Sequence, residues 1–294
     1  MKFVRFLSGG MSPNLGLVDG YEVVVLEKPD HSRPFSGLIE FLDTLAKSGL
    51  AMSDLITATS DERIPFSELE HSNRLLVPVE APEVWGCGVT YKVSMEAREF
   101  ETMTKTIYGQ VYLADRPEIF FKSNPSRYVG PNSPICIRSD SNWTVPEPEL
   151  SFVIGIDGEI FGYTIADDVS SRDIEGMNPL YLPQAKTYKS SCSFGPTVVT
   201  ADEIGNPHDL QISMNVKRNG SVLFEKSTNT SRMKRTINEL LEYLKRDNIL
   251  PVGLVCMTGT GIVPPKDFTL QANDEVDIEI EKIGVLRNTV IKLG

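Results

Sequence analysis

Apolar and polar positions alternate along much of the chain, the pattern of half-buried strands. "KFVRFL" (2–7) and "YEVVVLE" (21–27) show it near the start. "SGLIEFLDTLAKSGL" (36–50) changes period: its apolar residues recur at helical spacing, Ser36 or Gly37 can open the helix, and Gly49 can close it. "VPVEAPEV" (77–84), with two prolines, reads as a linker. Beyond it, "VWGCGVTY" and "IFFKS" are short strands, and "MEAREFETMTKTIYGQVYLA" (95–114) between them is helical in pattern. Two apolar runs then flank Asp157-Gly158, and two more, in "LQISMNVKRNGSVLFEKS", flank Asn219-Gly220. Both dipeptides favour tight hairpins, so the sheet is mostly antiparallel. The loop "EGMNPLYLPQAKTYKSSCSFGP" (175–196) is punctuated by Pro and Gly, "SRMKRTINELLEYLKRD" (231–247) is helical, and "LVCMTGTGIV" and "EVDIEIEKIGVLRNTVIKL" close the chain as strands. The class is α+β, mostly β. Residues 1–78 form a small N-terminal α/β domain and 79–294 the main domain.

Composition changes this picture little. The 294 residues are 40% hydrophobic and 23% charged, enough to bury a sizeable core. Charge is more telling: 29 Lys plus Arg against 40 Asp plus Glu give a net charge of −11. Nucleic-acid binding needs a basic footprint, so it is excluded as an expectation, as is docking to anionic membranes. No apolar run approaches the ~20 residues of a membrane span. The opening "MKFVRFLSGGMSPN" is too short in apolar residues for an export signal, which points to the cytoplasm. Cys87, Cys136, Cys192 and Cys256 lie far apart without a C-x-x-C pair and read as reduced core thiols.

The first hairpin poses an electrostatic problem. Its outer ends carry Glu147 and Glu149 on one arm and Asp167 and Asp168 on the other. With Asp157-Gly158 as a two-residue loop, Ile156 faces Glu159, Glu147 falls opposite Asp168, and Glu149 opposite Ala166. Residues two apart share a face, so Glu147, Glu149 and Asp168 point the same way and Asp167 points to the other. Opposed Cβ atoms are roughly 4.5–5.5 Å apart. Two carboxylates at ~4 Å repel by about 1 kcal/mol even in water. A hard divalent cation reverses the sign. All-oxygen ligation suits Mg²⁺, with Mn²⁺ or Ca²⁺ as alternatives, and three carboxylates leave positions for water and substrate. Pro146 and Pro148 cannot donate to a ladder, which places this end of the hairpin at an edge or rim.

The segments "EPEL", "VIG" and "GYTIADDVSSRD" together resemble the fumarylacetoacetate hydrolase superfamily. There a Glu-x-Glu pair and the Asp of an (Asn/Asp)-Asp-x-Ser-x-Arg-Asp segment bind Mg²⁺ or Mn²⁺. The resemblance runs over about residues 80–290 and continues through Lys186, "FGPTVVTADEI", "MTGTG" (257–261) and "DEVDIEIEKIGVLRNTV". It implies a mixed β-sandwich or roll, assembled as a homodimer or homotetramer. Hydrolase members carry Asn-Tyr-x-x-His before the first helix of the main domain; here "GCGVTYKVSMEAR" puts Ser94 where that His would stand. None of His31, His71 and His208 falls in a motif. Together with "RPEIFFK", "WTVPEPEL" and "NPLYLPQAKTY", this segment is similar to a narrower branch, the 2-keto-3-deoxy-pentonate dehydratases.

That resemblance implies a Mg²⁺-dependent hydro-lyase yielding 2,5-dioxopentanoate. A cation at Glu147, Glu149 and Asp168 would polarise the 2-oxo acid, a base would take the C3 proton, and an acid would assist loss of the C4 hydroxyl. Glu118 and Lys186 are the catalytic candidates. Arg172, Thr260, Ser94 and Lys122 are candidates for substrate binding; Arg172 could instead pair with Asp173, and Lys122 could hold Glu118 or a metal ligand. Two other readings stay open: a hydrolase, isomerase or decarboxylase of the same superfamily acting on an acylpyruvate or other 2-oxo acid, and a non-catalytic metal- or oxo-acid-binding protein.

Overall fold

The structure is a computed structural model; it describes residues 1–57, 59–102 and 106–294, and residues 59–61 by their backbone only. Two large sheets carry the fold, so the α+β, mostly β architecture is as expected. Among the described residues the larger has eleven strands. Its path runs Thr59–Pro65, Glu22–Leu26, Pro13–Asp19, Lys2–Leu7, Cys192–Thr200, Ile160–Asp168, Pro148–Ile154, Val255–Met257, Val84–Gly88, Glu118–Ser123, and the eleventh strand, Tyr128–Val129, pairs with Cys192–Thr200 off this path. The smaller has five, in the order Ser221–Asn229, Gln211–Arg218, Glu275–Ile280, Gly284–Lys292, Ile135–Ile137. Most pairs are antiparallel; Val84–Gly88 with Val255–Met257, Ile135–Ile137 with Gly284–Lys292, and Tyr128–Val129 with Cys192–Thr200 are parallel.

The sheets pack face to face. One apolar cluster takes Leu150, Phe152 and Ile165 from the large sheet and Met214, Val216, Ile278 and Leu286 from the small one. Helix Ile237–Lys245 closes this core with Ile237, Leu240, Leu241 and Leu244, each such burial contributing roughly 1.5–3 kcal/mol. Its start is set by an N-cap: the Thr236 hydroxyl accepts from the Glu239 N–H at 3.1 Å. That is later than the pattern's start at 231, because Thr230–Arg232 form a 3-10 turn and Met233 is extended.

The N-terminal residues join the same large sheet, through Lys2–Leu7 paired with Cys192–Thr200. Strand Pro13–Asp19 was not legible as a strand, since Pro13 and Gly16 interrupt its alternation. The helix expected over 95–114 is two helices, Lys92–Glu101 and Ile107–Leu113; residues 103–105 of that expectation lie outside the described residues. The 175–196 loop contains the short helix Leu182–Lys186, which carries Lys186. No helix among the described residues is long and apolar enough to cross a membrane.

Candidate active site

The hairpin register decides the site. Pro148 pairs with Asp167, Glu149 with Ala166, and the Asp168 N–H bonds the Glu147 carbonyl at 3.0 Å. This is the predicted register, reached by an unpredicted route. The loop has three residues, because the Gly155 N–H bonds the Glu159 carbonyl at 2.8 Å. A bulge between Val153 and Ile154 on the ladder then restores the offset, with Gly162 opposite Val153 and Ile160 opposite Ile154. One extra residue in the turn and one in the bulge cancel. The proline end is a rim and not an edge: Pro148–Ile154 lies inside the sheet, and its neighbour Val255–Met257 first pairs at Ser151.

Glu147, Glu149 and Asp168 are 1–2% exposed, and one oxygen of each lies within 4.8 Å of the others. Their counter-charges are unequal. Glu147 is surrounded by cations: Arg98 Nη2 at 2.6 Å and Arg172 Nη2 at 2.7 Å on Oε1, Lys186 Nζ at 2.7 Å on Oε2. Burial pushes its carboxyl up, but Lys186, Arg98 and Arg172 outweigh burial and hold it well below the usual range. Asp168 receives Lys122 Nζ at 2.6 Å and Lys186 Nζ at 2.8 Å. Glu149 has no ion-pair partner among the described residues; it accepts only the Gly259 N–H, at 2.6 Å on Oε2. Burial and then the neighbouring Asp168 and Glu147 drive its carboxyl well above the usual range. A hard cation at this oxygen set would supply the charge that Glu149 lacks, so the three residues fit Mg²⁺.

Backbone geometry builds the rest. Gly259 adopts φ +95°, and a Cβ there would lie 2.0 Å from Thr90 Oγ1, so only glycine can aim its N–H at Glu149. Gly88 sits opposite Glu118 in the ladder, and a Cβ on it would lie 2.0 Å from Glu118 Oε2. The missing side chain is the space the Glu118 carboxyl occupies. Burial, and then the charge of Glu175, push Glu118 up to about 7. Val89 beside it is held at φ 56°, a strained conformation for a β-branched residue.

These groups line one narrow cleft. Glu118, Lys186, Ser94, Thr260 and the carboxylate trio all face it, together with Arg98, Glu175, Tyr108, Phe120 and Cys87. Two candidates do not line it. Arg172, expected to reach substrate, lies behind Glu147, with Nη1 on Glu101 at 2.6 Å. Its alternative partner Asp173 instead accepts from Ser141 Oγ and the Asn142 N–H, each at 2.7 Å. Lys122 is fully buried and bonds the Val169 and Lys186 carbonyls besides Asp168; it holds a carboxylate of the trio rather than facing the cleft. The Thr260 hydroxyl is engaged with Ile262, at 3.2 Å.

Sequence reasoning missed Arg98, Glu175, Glu101 and Tyr108. Arg98 was within reach of it, since it lies one helical turn from Ser94 and three residues before Glu101. Asp167, aimed away by parity, does leave the trio. It accepts the Glu147 N–H at 2.8 Å, and burial, with Asp168 beside it, pushes its carboxyl up to about 7.

Comparison with known proteins agrees with this geometry. The family model for the fumarylacetoacetate (FAA) hydrolase C-terminal domain matches residues 84–291. A Haloferax volcanii protein described as "Probable 2-keto-3-deoxyxylonate dehydratase" is 53% identical over 214 residues, 73% of this chain and 74% of that protein. The 2-dehydro-3-deoxy-D-arabinonate dehydratase of Saccharolobus solfataricus is 42% identical over 296 residues, 99% of this chain and 97% of its own length. A solved structure of 2-keto-3-deoxy-D-arabinonate dehydratase complexed with magnesium and 2,5-dioxopentanoate superposes with a TM-score of 0.83 at 42% identity, covering 100% of this chain and 99% of that one. With a family model matched across its main body and relatives aligned along nearly its whole length, the chain belongs to the fumarylacetoacetate hydrolase family.

Proposed function

We propose that the protein is a Mg²⁺-dependent dehydratase that removes water from a 2-keto-3-deoxy-pentonate to give 2,5-dioxopentanoate. The observation that carries this reading is a trio of buried carboxylates, one without any cation of its own, facing a carboxyl group of raised pKa across a single cleft. A cation bound at Glu147, Glu149 and Asp168 would polarise the 2-oxo acid and favour negative charge on the C2 oxygen.

The remaining chemistry falls to the chain's own residues. Glu118, with a pKa pushed up to about 7, is matched to taking the C3 proton near neutral pH and returning it to the departing C4 hydroxyl. Lys186 is not the base. Its three N–H bonds are all given away, to Glu147 Oε2, Asp168 Oδ2 and Ser170 Oγ. Burial lowers its pKa, but Asp168 and Glu147 more than reverse this, so it stays cationic and favours developing negative charge beside it. Arg98, Arg172 and Lys122 hold the carboxylates in place, and Ser94 and Thr260 border the substrate space. Ser94 in the place of the hydrolases' His leaves no imidazole in the cleft lining to activate water for C–C cleavage.

The test is an assay for 2,5-dioxopentanoate from 2-keto-3-deoxy-pentonates with Mg²⁺ present. Product formation that disappears on chelation is expected. No product, alongside turnover of an acylpyruvate, would overturn the reading. We extend the proposal to a homodimer or homotetramer in the cytoplasm. Four free, buried cysteines fit a reducing compartment. The edge strand Ser221–Asn229, with Val222 54% and Leu223 47% exposed, offers an unpaired apolar border for self-association. Light scattering at micromolar concentration reads the assembly directly.

A further inference from the structure

Most side-chain donors that line the cleft are already committed. Lys186 has given away all three of its N–H bonds, Arg98 is turned onto Glu147 and Glu175, and the Thr260 hydroxyl is engaged with Ile262. The Cys87 thiol lies against Cys256 Sγ at 3.7 Å. Two hydroxyls remain, those of Ser94 and Tyr108. Each residue is 6% exposed and lines the cleft. Neither hydroxyl has a hydrogen-bond partner among the described residues, and neither is among the oxygens that the fold shields completely. A nearly buried hydroxyl that opens only on a cleft is a place for a ligand atom.

The two are not equivalent. Ser94 sits on helix Lys92–Glu101, and its short side chain keeps the hydroxyl at that wall. Tyr108 sits on helix Ile107–Leu113, and its long phenol carries the hydroxyl away from the helix. Burial and then Glu175 push the phenol up to about 12; Arg98 opposes them, and Glu118 and Lys186 weigh less. The phenolic oxygen is thus within reach of charges from four other elements, and it answers more to Arg98 and Glu175 than to Glu118 and Lys186. With the 2-oxo acid head at the carboxylate trio and C3 beside Glu118, such an oxygen faces the part of the substrate beyond the reacting carbons. A phenol held this high keeps its proton near neutral pH, so it is there as a donor.

We propose that Tyr108 determines specificity for the tail of the substrate, its phenolic hydroxyl donating a hydrogen bond to the C5 oxygen. This rests on the dehydratase reading. The atom balance of that reaction favours a donor at this place. Loss of the C3 proton and C4 hydroxyl as water leaves 5-hydroxy-2-oxopent-3-enoate. Reaching 2,5-dioxopentanoate then moves one proton from C5 and one from its oxygen onto C3 and C4, with no oxidant. The C5 oxygen is therefore a hydroxyl at the start and a carbonyl at the end. A neutral O–H donates to both, whereas an acceptor would lose its bond when the proton leaves. Tyr108 holds the tail through both stages.

The test compares a 2-keto-3-deoxy-pentonate with 4-hydroxy-2-oxopentanoate, which still carries the C3 protons and C4 hydroxyl but has a methyl group at C5. Substrate loss is followed by NMR with Mg²⁺ present, for the wild type and for Tyr108→Phe, which keeps the ring and removes only the hydroxyl. The quantity read is the preference, the ratio of kcat/KM for the two substrates, so any cost that the variant imposes on both cancels. If the methyl substrate turns over too slowly to follow, the ratio of its Ki to the KM of the pentonate is read instead. The wild type is expected to prefer the hydroxylated substrate, and Tyr108→Phe to lower that preference by about 3–10-fold, the size of one neutral hydrogen bond. A Tyr108→Phe variant with the wild-type preference overturns the proposal, however much it slows both substrates. A wild type that dehydrates the pentonate without any preference overturns it as well and leaves the dehydratase reading standing. A wild type that dehydrates neither substrate overturns the dehydratase reading, and this inference with it.

Discussion

Two side chains concentrate the chemistry. Glu118 sits across from Gly88 with its carboxyl pushed up to about 7 by burial and by Glu175. If it is the base, kcat/KM rises with pH through about 7 and levels above it, because only the deprotonated form accepts a proton. Glu118→Gln is expected to lose about 10²–10⁴-fold in kcat and to remove that limb from the pH–rate profile. Stability should move in the opposite sense. The unfolded chain releases this proton near 4.5 and the folded chain keeps it until about 7, so the wild type loses stability as pH rises across that window. The Gln variant lacks this loss, which denaturant melts at several pH values would read. Glu149 is the counterpart without a cation. Mg²⁺ added to the wild type should raise its Tm by preferential binding to the folded state, whereas Glu149→Gln should show little shift.

At the scale of elements, the hairpin teaches that a register belongs to its buried faces and not to its turn. All seven residues of Pro148–Ile154 are buried, so a slip by one would turn a whole row of core side chains over. The turn absorbs the mismatch, with a three-residue loop offset by a bulge near Phe161. Deleting Asp157 from that loop is therefore expected to leave Mg²⁺-dependent activity within about twofold, since the strands hold their own register. A marked loss of activity with retained folding would show instead that the turn sets the site. The glycine turn after Val255–Met257 tolerates less. Gly259→Ala meets Thr90 at 2.0 Å and an unfavourable φ, so it should withdraw the N–H from Glu149 and weaken Mg²⁺ binding in calorimetry.

For the molecule as a whole, the boundary near residue 78 remains a proposal about organisation, and the packing suggests what it means. Phe3, Leu15 and Leu26 share a cluster with Val153, Phe194 and Met257. Lys2–Leu7 covers the flank of Cys192–Thr200, the strand next to the catalytic hairpin. A fragment spanning 79–294 should bare that flank and an apolar face together, and is expected to be insoluble or to melt well below the full chain. A fragment as stable and active as the whole would make the N-terminal part a separate appendage.

Local chemistry was legible in the chain because its signals are local. Alternation and turn dipeptides marked both hairpins, parity set Glu147, Glu149 and Asp168 on one face, and Gly49 ended its helix with φ 67°. Glu118 and Lys186 were legible through resemblance, and both line the cleft. The tertiary fold decided what depends on long-range neighbours. It placed Arg98 and Glu175 against the trio and turned Arg172 and Lys122 into supports behind it. Among the described residues it also left Glu149, alone of the trio, without an ion-pair partner. Spacing along a strand orders side chains to one face, but the counter-charge each one meets comes from elements far along the chain, such as Arg98 on Glu147, 49 residues away. Only folding brings those together, and it is this unequal sharing of charge that makes the hairpin a site.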